Sequence, residues 1–220
     1  MTEFDWLSAT DPEPMLTFLL HSDRGSQRKL RQFFCACARR MWPQLGQDSR
    51  IAVITAERYI DGLAGEDKLR GARRAAQNAE SREHMRIWVQ GARPFRGRKA
   101  AGSETVGAAR VASLAVAFQN YRLDQWSVWP LSGAVQTALL RDIFGLMPFR
   151  RTPLHPSWRT TNVIDLARTI YEERTFDRLP ILADALMDAG CTEDEILMHC
   201  RSEGPHVRGC WVIDLLLGKT

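Results

Sequence analysis

Apolar residues recur at three- and four-residue spacings along most of this chain, and strand-like alternation of period two is nearly absent. Asp11 followed by Pro12 marks a helix start, an N-cap and a first-turn proline, leading into MLTFLLHS and ending near Gly25. A second helix is predicted over residues 26–42, where Pro43 stops it. On a helical wheel its Leu30, Phe33, Phe34, Cys37 and Met41 share one face, and Arg28, Arg31, Arg39 and Arg40 lie opposite. This predicts a core helix with a basic outer side. Further helices are expected over 48–61, closed by Gly62, and over 66–90.

The second half continues in the same period. An Ala/Val-rich helix is expected over 105–120, then a turn at 126–130 and a helix over 132–144. Pro148, Pro153 and Pro156 make the next stretch an extended connector. Four helices follow, over 162–174, 177–189, 193–202 and 205–217, with Gly190 closing the second and Thr192 with Glu195 forming a capping box for the third. The expected fold is all-α, an irregular multi-helix bundle without an alignable repeat. Its expected organisation is an N-terminal helical region over 1–90, a basic Gly-rich loop or linker over 91–107, and a C-terminal helical region over 108–220, the three compatible with one continuous domain.

Composition narrows the class. A chain of 220 residues buries roughly 70% of its unfolded surface, enough for a core without staples. The 45% hydrophobic and 25% charged fractions are those of an ordinary globular protein, and no apolar run approaches the ~20 residues of a membrane span. The acidic, proline-containing start lacks the features of a signal peptide, so the expectation is a cytoplasmic protein with no membrane partner. Five scattered cysteines, an odd number, fit reduced thiols. The net charge of +4 hides an asymmetry: residues 24–110 hold nineteen Arg or Lys against eight Asp or Glu, and the remainder is acidic.

Candidate chemistry concentrates between Cys191 and Lys219, where three of the cysteines and two of the histidines fall. His206 and Cys210, four apart on an expected helix, together with Cys200, Cys191 and His199, form a soft ligand set that zinc would accept. No C-x2-C knuckle accompanies them. The plainer alternative makes Cys200 and Cys210 packing residues of two buried helices, leaving Asp214 as a carboxylate in an apolar helix that needs an arginine or backbone donor. Cys35 and Cys37 point roughly 200° apart on one helix and cannot share a ligand. Arg93, Arg96, Arg98 and Lys99, interleaved with Phe95, could track a phosphate backbone with the ring stacked on a base; solvated surface charge is the alternative. No GxGxxG, Walker A, HExxH or GxSxG occurs, and no catalytic residue is singled out.

The segments TDPEPMLTFL, RKLRQFFCACARRMW and AERYIDG, with RDIFG, ARTIYEERTFDRLPILADALMDAGC and GPHVRGCWVIDLLLGK, resemble an uncharacterised family of bacterial proteins, some of which carry an SMI1/KNR4-type label. The resemblance covers both ends of the chain and implies no catalytic residues; the label itself implies an α/β fold, which the helical periodicity does not support. The leading expectation is a non-enzymatic helical module binding an unknown protein partner. A nucleic-acid-binding protein using the span 24–110 and a zinc-binding protein using the C-terminal Cys/His set are the alternatives.

Overall fold

The computed structural model describes residues 1–22, 25–89, 109–112, 114–115, 131–146, 148–150 and 152–219, and all regular structure among them is helical. The helices are α1 (Glu3–Ser8), α2 (Pro12–His21), α3 (Gln27–Arg40), α4 (Gln47–Ile60), α5 (Glu66–Val89), α6 (Gly133–Phe144), α7 (Thr161–Glu173), α8 (Leu179–Asp188), α9 (Asp194–Arg201) and α10 (Trp211–Leu217). Residues 109–112 and 114–115 are also helical. No described helix is long and apolar enough to cross a membrane.

The chain forms two units that do not follow sequence order: residues 1–29 with 137–220, and residues 30–136. In the second unit α4 packs on α5, and Arg39 makes a two-pronged pair with Glu57 at 3.0 and 2.6 Å. The expected basic outer side of α3 is corrected here. Arg31 is buried and donates to the carbonyl of Ala115, because a guanidinium can enter a core once a backbone acceptor replaces water. Cys35 and Cys37 are both buried, and burial pushes the Cys37 thiol well up.

The first unit carries the site described below. Its core joins α7, α8, α9 and α10 around Ile170, Leu182, Leu186, Ile196, Val212 and Leu216. At its N-terminus α1, absent from the periodicity reading, starts with a capping box in which Thr2 and Asp5 exchange hydrogen bonds. Only Trp6 of this helix is buried, which is why no apolar stripe announced it. Trp6 meets Phe144 and Phe149 edge-on, and Arg141 donates to the carbonyls of Trp6 and Ala9. These contacts fix α6.

Three local expectations change. The capping box at Thr192 does not form: Glu193 is the N-cap of α9, and Glu195 pairs with Arg150 instead. The helix expected over 205–217 begins only at Trp211, since Gly209 adopts φ +102° and Cys210 is the N-cap. His206 and Cys210 therefore do not share a helix. At the end of α6, Gly145 at φ +53° lies so close to Trp211 that a Cβ would sit 2.7 Å from its ring, and only glycine fits.

Asp214, the carboxylate inside α10, has the cationic partner its position demands. Arg28 donates to it at 2.6 and 3.3 Å, and the buried Lys29 ammonium lies 3.4 Å away while donating to the Ile143 carbonyl at 2.6 Å. Burial pulls the Lys29 pKa below its ordinary value, and the charge of Asp214 opposes that. Asp214→Ala leaves this ammonium without its counter-ion. The expected cost is about 3 kcal/mol of unfolding free energy, read from denaturant titration; a loss below about 1 kcal/mol would show that Lys29 and Arg28 do not depend on it.

Candidate metal centre

Asp142 lies on the inward side of α6, among the buried Leu139, Leu140, Ile143 and Phe144. A carboxylate there must be met by donors or cations. One oxygen, Oδ2, accepts the backbone N–H of Val207 at 2.9 Å. The other, Oδ1, faces two imidazoles, His206 Nδ1 at 2.7 Å and His199 Nε2 at 3.2 Å. His199 Nε2 is also 3.2 Å from the sulfur of Cys210. One donor atom each from Asp142, His199, His206 and Cys210 thus fall within 4.8 Å of one another.

Each of the four is placed by a different piece of local structure. His199 is presented by the last turn of α9, whose Ile196, Leu197 and Cys200 face the core. Its ring stands edge-on to His206 at 4.8 Å between centroids and packs against Trp211 at 5.2 Å. His206 lies in the irregular segment after α9, and Cys210 is the N-cap of α10. The same Gly145 that admits Trp211 beside α6 therefore also sets the wall behind His199.

The outer contacts decide which nitrogen of His206 is available. Its Nε2 sits 3.0 Å from the carbonyl oxygen of Ser202, which can only accept, so Nε2 carries a proton. A neutral ring then presents a lone pair at Nδ1, aimed at the carboxylate oxygen 2.7 Å away. Two lone pairs at that separation require a cation between them: a second ring proton or a metal ion. In the protonated case, burial disfavours the imidazolium, but the hydrogen bond and charge of Asp142 outweigh it and raise the His206 pKa. Burial likewise works to raise the Asp142 carboxyl, and the two histidines reverse the sign, holding it below the usual range. Burial pushes the Cys210 thiol well up, with Asp142 and Cys200 acting in the same direction.

Of the residues singled out from spacing, the fold brings His199, His206 and Cys210 together. Cys191 and Cys200 are buried in the neighbouring core and lie outside the group of four, and the Cys200 thiol is pushed up to about 12, first by burial and then by Asp142 and Cys191. Asp142 was missed. Its signal was present in the sequence, as a single carboxylate on the apolar side of the run TALLRDIF, the same anomaly that drew notice to Asp214. Arg93, Phe95, Arg96, Arg98 and Lys99 lie outside the described residues. Comparison with family models, curated proteins and solved structures finds no match for this chain.

Without a metal, the His206–Asp142 pair contributes stability that is fully present below the ordinary imidazole value of 6.5 and is lost as pH rises through the raised pKa of His206. The thermal midpoint of chelator-treated protein is therefore expected to fall as pH is raised above the ordinary imidazole value, and His206→Gln to flatten that dependence. A flat wild-type profile over the range would count against the pair.

Proposed function

We propose that the protein binds a divalent metal ion of the zinc class through Asp142, His199, His206 and Cys210. The observation that carries this reading is the convergence of one carboxylate oxygen, two imidazole nitrogens and one sulfur within 4.8 Å in the interior of the first unit. Bonds of about 2.0–2.3 Å to a common centre put tetrahedral ligands about 3.3–3.7 Å apart. The short separations of 2.7, 3.2 and 3.2 Å would open by a few tenths of an ångström to about an ångström, and the wider ones, up to 4.8 Å, would close by about an ångström, to reach that arrangement.

Donor chemistry supports zinc over the hard cations. Calcium and magnesium take six or more oxygens, whereas a set of two nitrogens, one thiolate and one carboxylate suits a borderline-soft ion with four ligands. Charge balance points the same way: thiolate and carboxylate together neutralise a dication, so the assembled centre is neutral and its burial is not penalised as a bare carboxylate would be. The outer contacts are those of a ligating set, with Ser202 holding the Nε2 proton of His206 and the Val207 amide holding the second oxygen of Asp142. Four protein donors leave no position for water or substrate, so the reading is a structural ion. It would tie α6 to the segment from His199 to Cys210, more than fifty residues later in the chain. That organising role is compatible with a helical module that does no chemistry of its own.

Protein purified without chelator is expected to contain one equivalent of zinc by elemental analysis. Cobalt(II) added to stripped protein should give the intense visible bands of a tetrahedral ion and a near-ultraviolet thiolate charge-transfer band. His206→Ala and Cys210→Ser should each weaken binding by tenfold or more, and Cys200→Ala should leave it within about threefold. Absence of stoichiometric metal, together with no rise in thermal midpoint on adding zinc to the stripped wild type, would leave the imidazolium–carboxylate cluster as the occupant of the site.

A further inference from the structure

The outward sides of α8 and α9 carry a second feature, independent of the metal centre. Both helices send their apolar inner residues into the core, Leu182, Ala183 and Leu186 from one and Ile196, Leu197 and Cys200 from the other. An amphipathic helix at a solvated surface is expected to be polar on its other side. Here Ile181, Met187 and Met198 stand exposed at 52%, 48% and 71%. On α8, Ile181, Asp184 and Met187 recur every three residues, and on α9, Asp194, Met198 and Arg201 recur at four and three. The two helices pack on each other, and Arg201 crosses between their outer sides, donating to Asp184 at 2.8 Å with Met187 Sδ 2.9 Å away. The three apolar side chains therefore belong to one surface.

Charge around that surface is one-sided. Residues 172–201, to the end of α9, hold eight Asp or Glu against three Arg, in a chain whose net charge is +4. Asp177, Asp184, Asp188 and Asp194 are all exposed. An acidic rim repels anionic lipid and nucleic acid, and it attracts a cationic partner over distances of about a Debye length. Methionine adds a particular property, since its unbranched, polarizable side chain adapts to differently shaped apolar groups at little cost.

We infer that the α8–α9 surface docks a basic amphipathic helical segment of a partner protein, the partner's apolar side lying on Ile181, Met187 and Met198 and its lysines or arginines meeting Asp188 and Asp194. The pairing follows from the chemistry of both halves. Apolar anchors at helical spacing match a helix laid across two helices, and the acidic rim selects a basic one. Arg201 is held by Asp184, so the cation on the surface is already neutralised and does not oppose the partner. Recognition of this kind needs no substrate site, and it gives a concrete partner class to the expectation of a helical interaction module.

The test uses the full chain as purified and a fluorescein-labelled peptide of leucines and lysines arranged so that the leucines share one helical side. A control peptide has the same composition in an order that scatters the leucines. Fluorescence anisotropy at two salt concentrations is expected to give micromolar binding of the amphipathic peptide, weaker at higher salt, and at least tenfold weaker binding of the scrambled one. The double variant Ile181→Asn, Met198→Asn alters two exposed positions, so it should fold with unchanged circular dichroism; it is expected to lose affinity by about tenfold or more. Asp188→Asn with Asp194→Asn should lose affinity and salt dependence together. Equal binding of the two peptides would reduce the surface to an acidic patch without apolar recognition and overturn the inference. So would full binding by the double apolar variant, or no binding at ~100 μM protein. Sedimentation of the wild type and the double variant completes the test: self-association lost in the variant would make the occupant a second copy of the chain and sink the basic partner.

Discussion

The first unit is organised around a negative charge placed where water cannot reach it. Asp142 sits on the buried side of α6, one oxygen satisfied by a backbone amide and the other turned toward two imidazoles. An ionised carboxylate in such a place is tolerable only when it is paired. The segment after α9 is shaped to supply that pairing. His199 arrives from a helix end, His206 from the irregular segment that follows, and the amide of Val207 from the residue beside it. The Asp142 carboxylate is the common partner of all of them.

Asp214 poses the same problem in the same unit and receives a different answer. Its charge is met by Arg28 and Lys29, and Lys29 also holds the carbonyl of Ile143, the residue next to Asp142. The two buried carboxylates are thus linked through α6 and α10. One is saturated by fixed cations of the chain, and the other faces two imidazole nitrogens and a sulfur within 4.8 Å. That contrast separates a structural ion pair from a candidate ligand set, although in the sequence both appear as one acid inside an apolar helix. The Trp211 ring, admitted by Gly145, packs against His199.

Much of the helical framework was legible from the chain alone. Pro12, Pro43, Gly62 and Gly190 act through backbone geometry that needs no tertiary context, and helices begin or end beside each of them. Amphipathic periodicity located the strongly patterned helices α3 and α7. It failed for α1, which buries a single residue, and for the start of α10, where Gly209 and the N-cap role of Cys210 interrupt an apparently continuous pattern. It also misjudged the cationic side of α3. Arg31 is carried into the interior by a carbonyl acceptor belonging to a distant segment, and the order of residues on a wheel does not contain that acceptor.

The candidate site divides along the same line. Local residue order by itself determined that the chain is helical, that His199, His206 and Cys210 fall within a dozen residues, and that Asp214 required an arginine or a backbone donor, because each of these depends on interactions between neighbours or on the cost of burying a charge. Only the tertiary structure decided that Asp142, more than fifty residues earlier, completes the group and that Cys191 and Cys200 do not. Direction is the physical reason. Which way a side chain points across a turn, and which distant helix it then meets, is set by the packing of the whole core around Ile170, Leu186 and Val212, and that is a sum over contacts that no local spacing records.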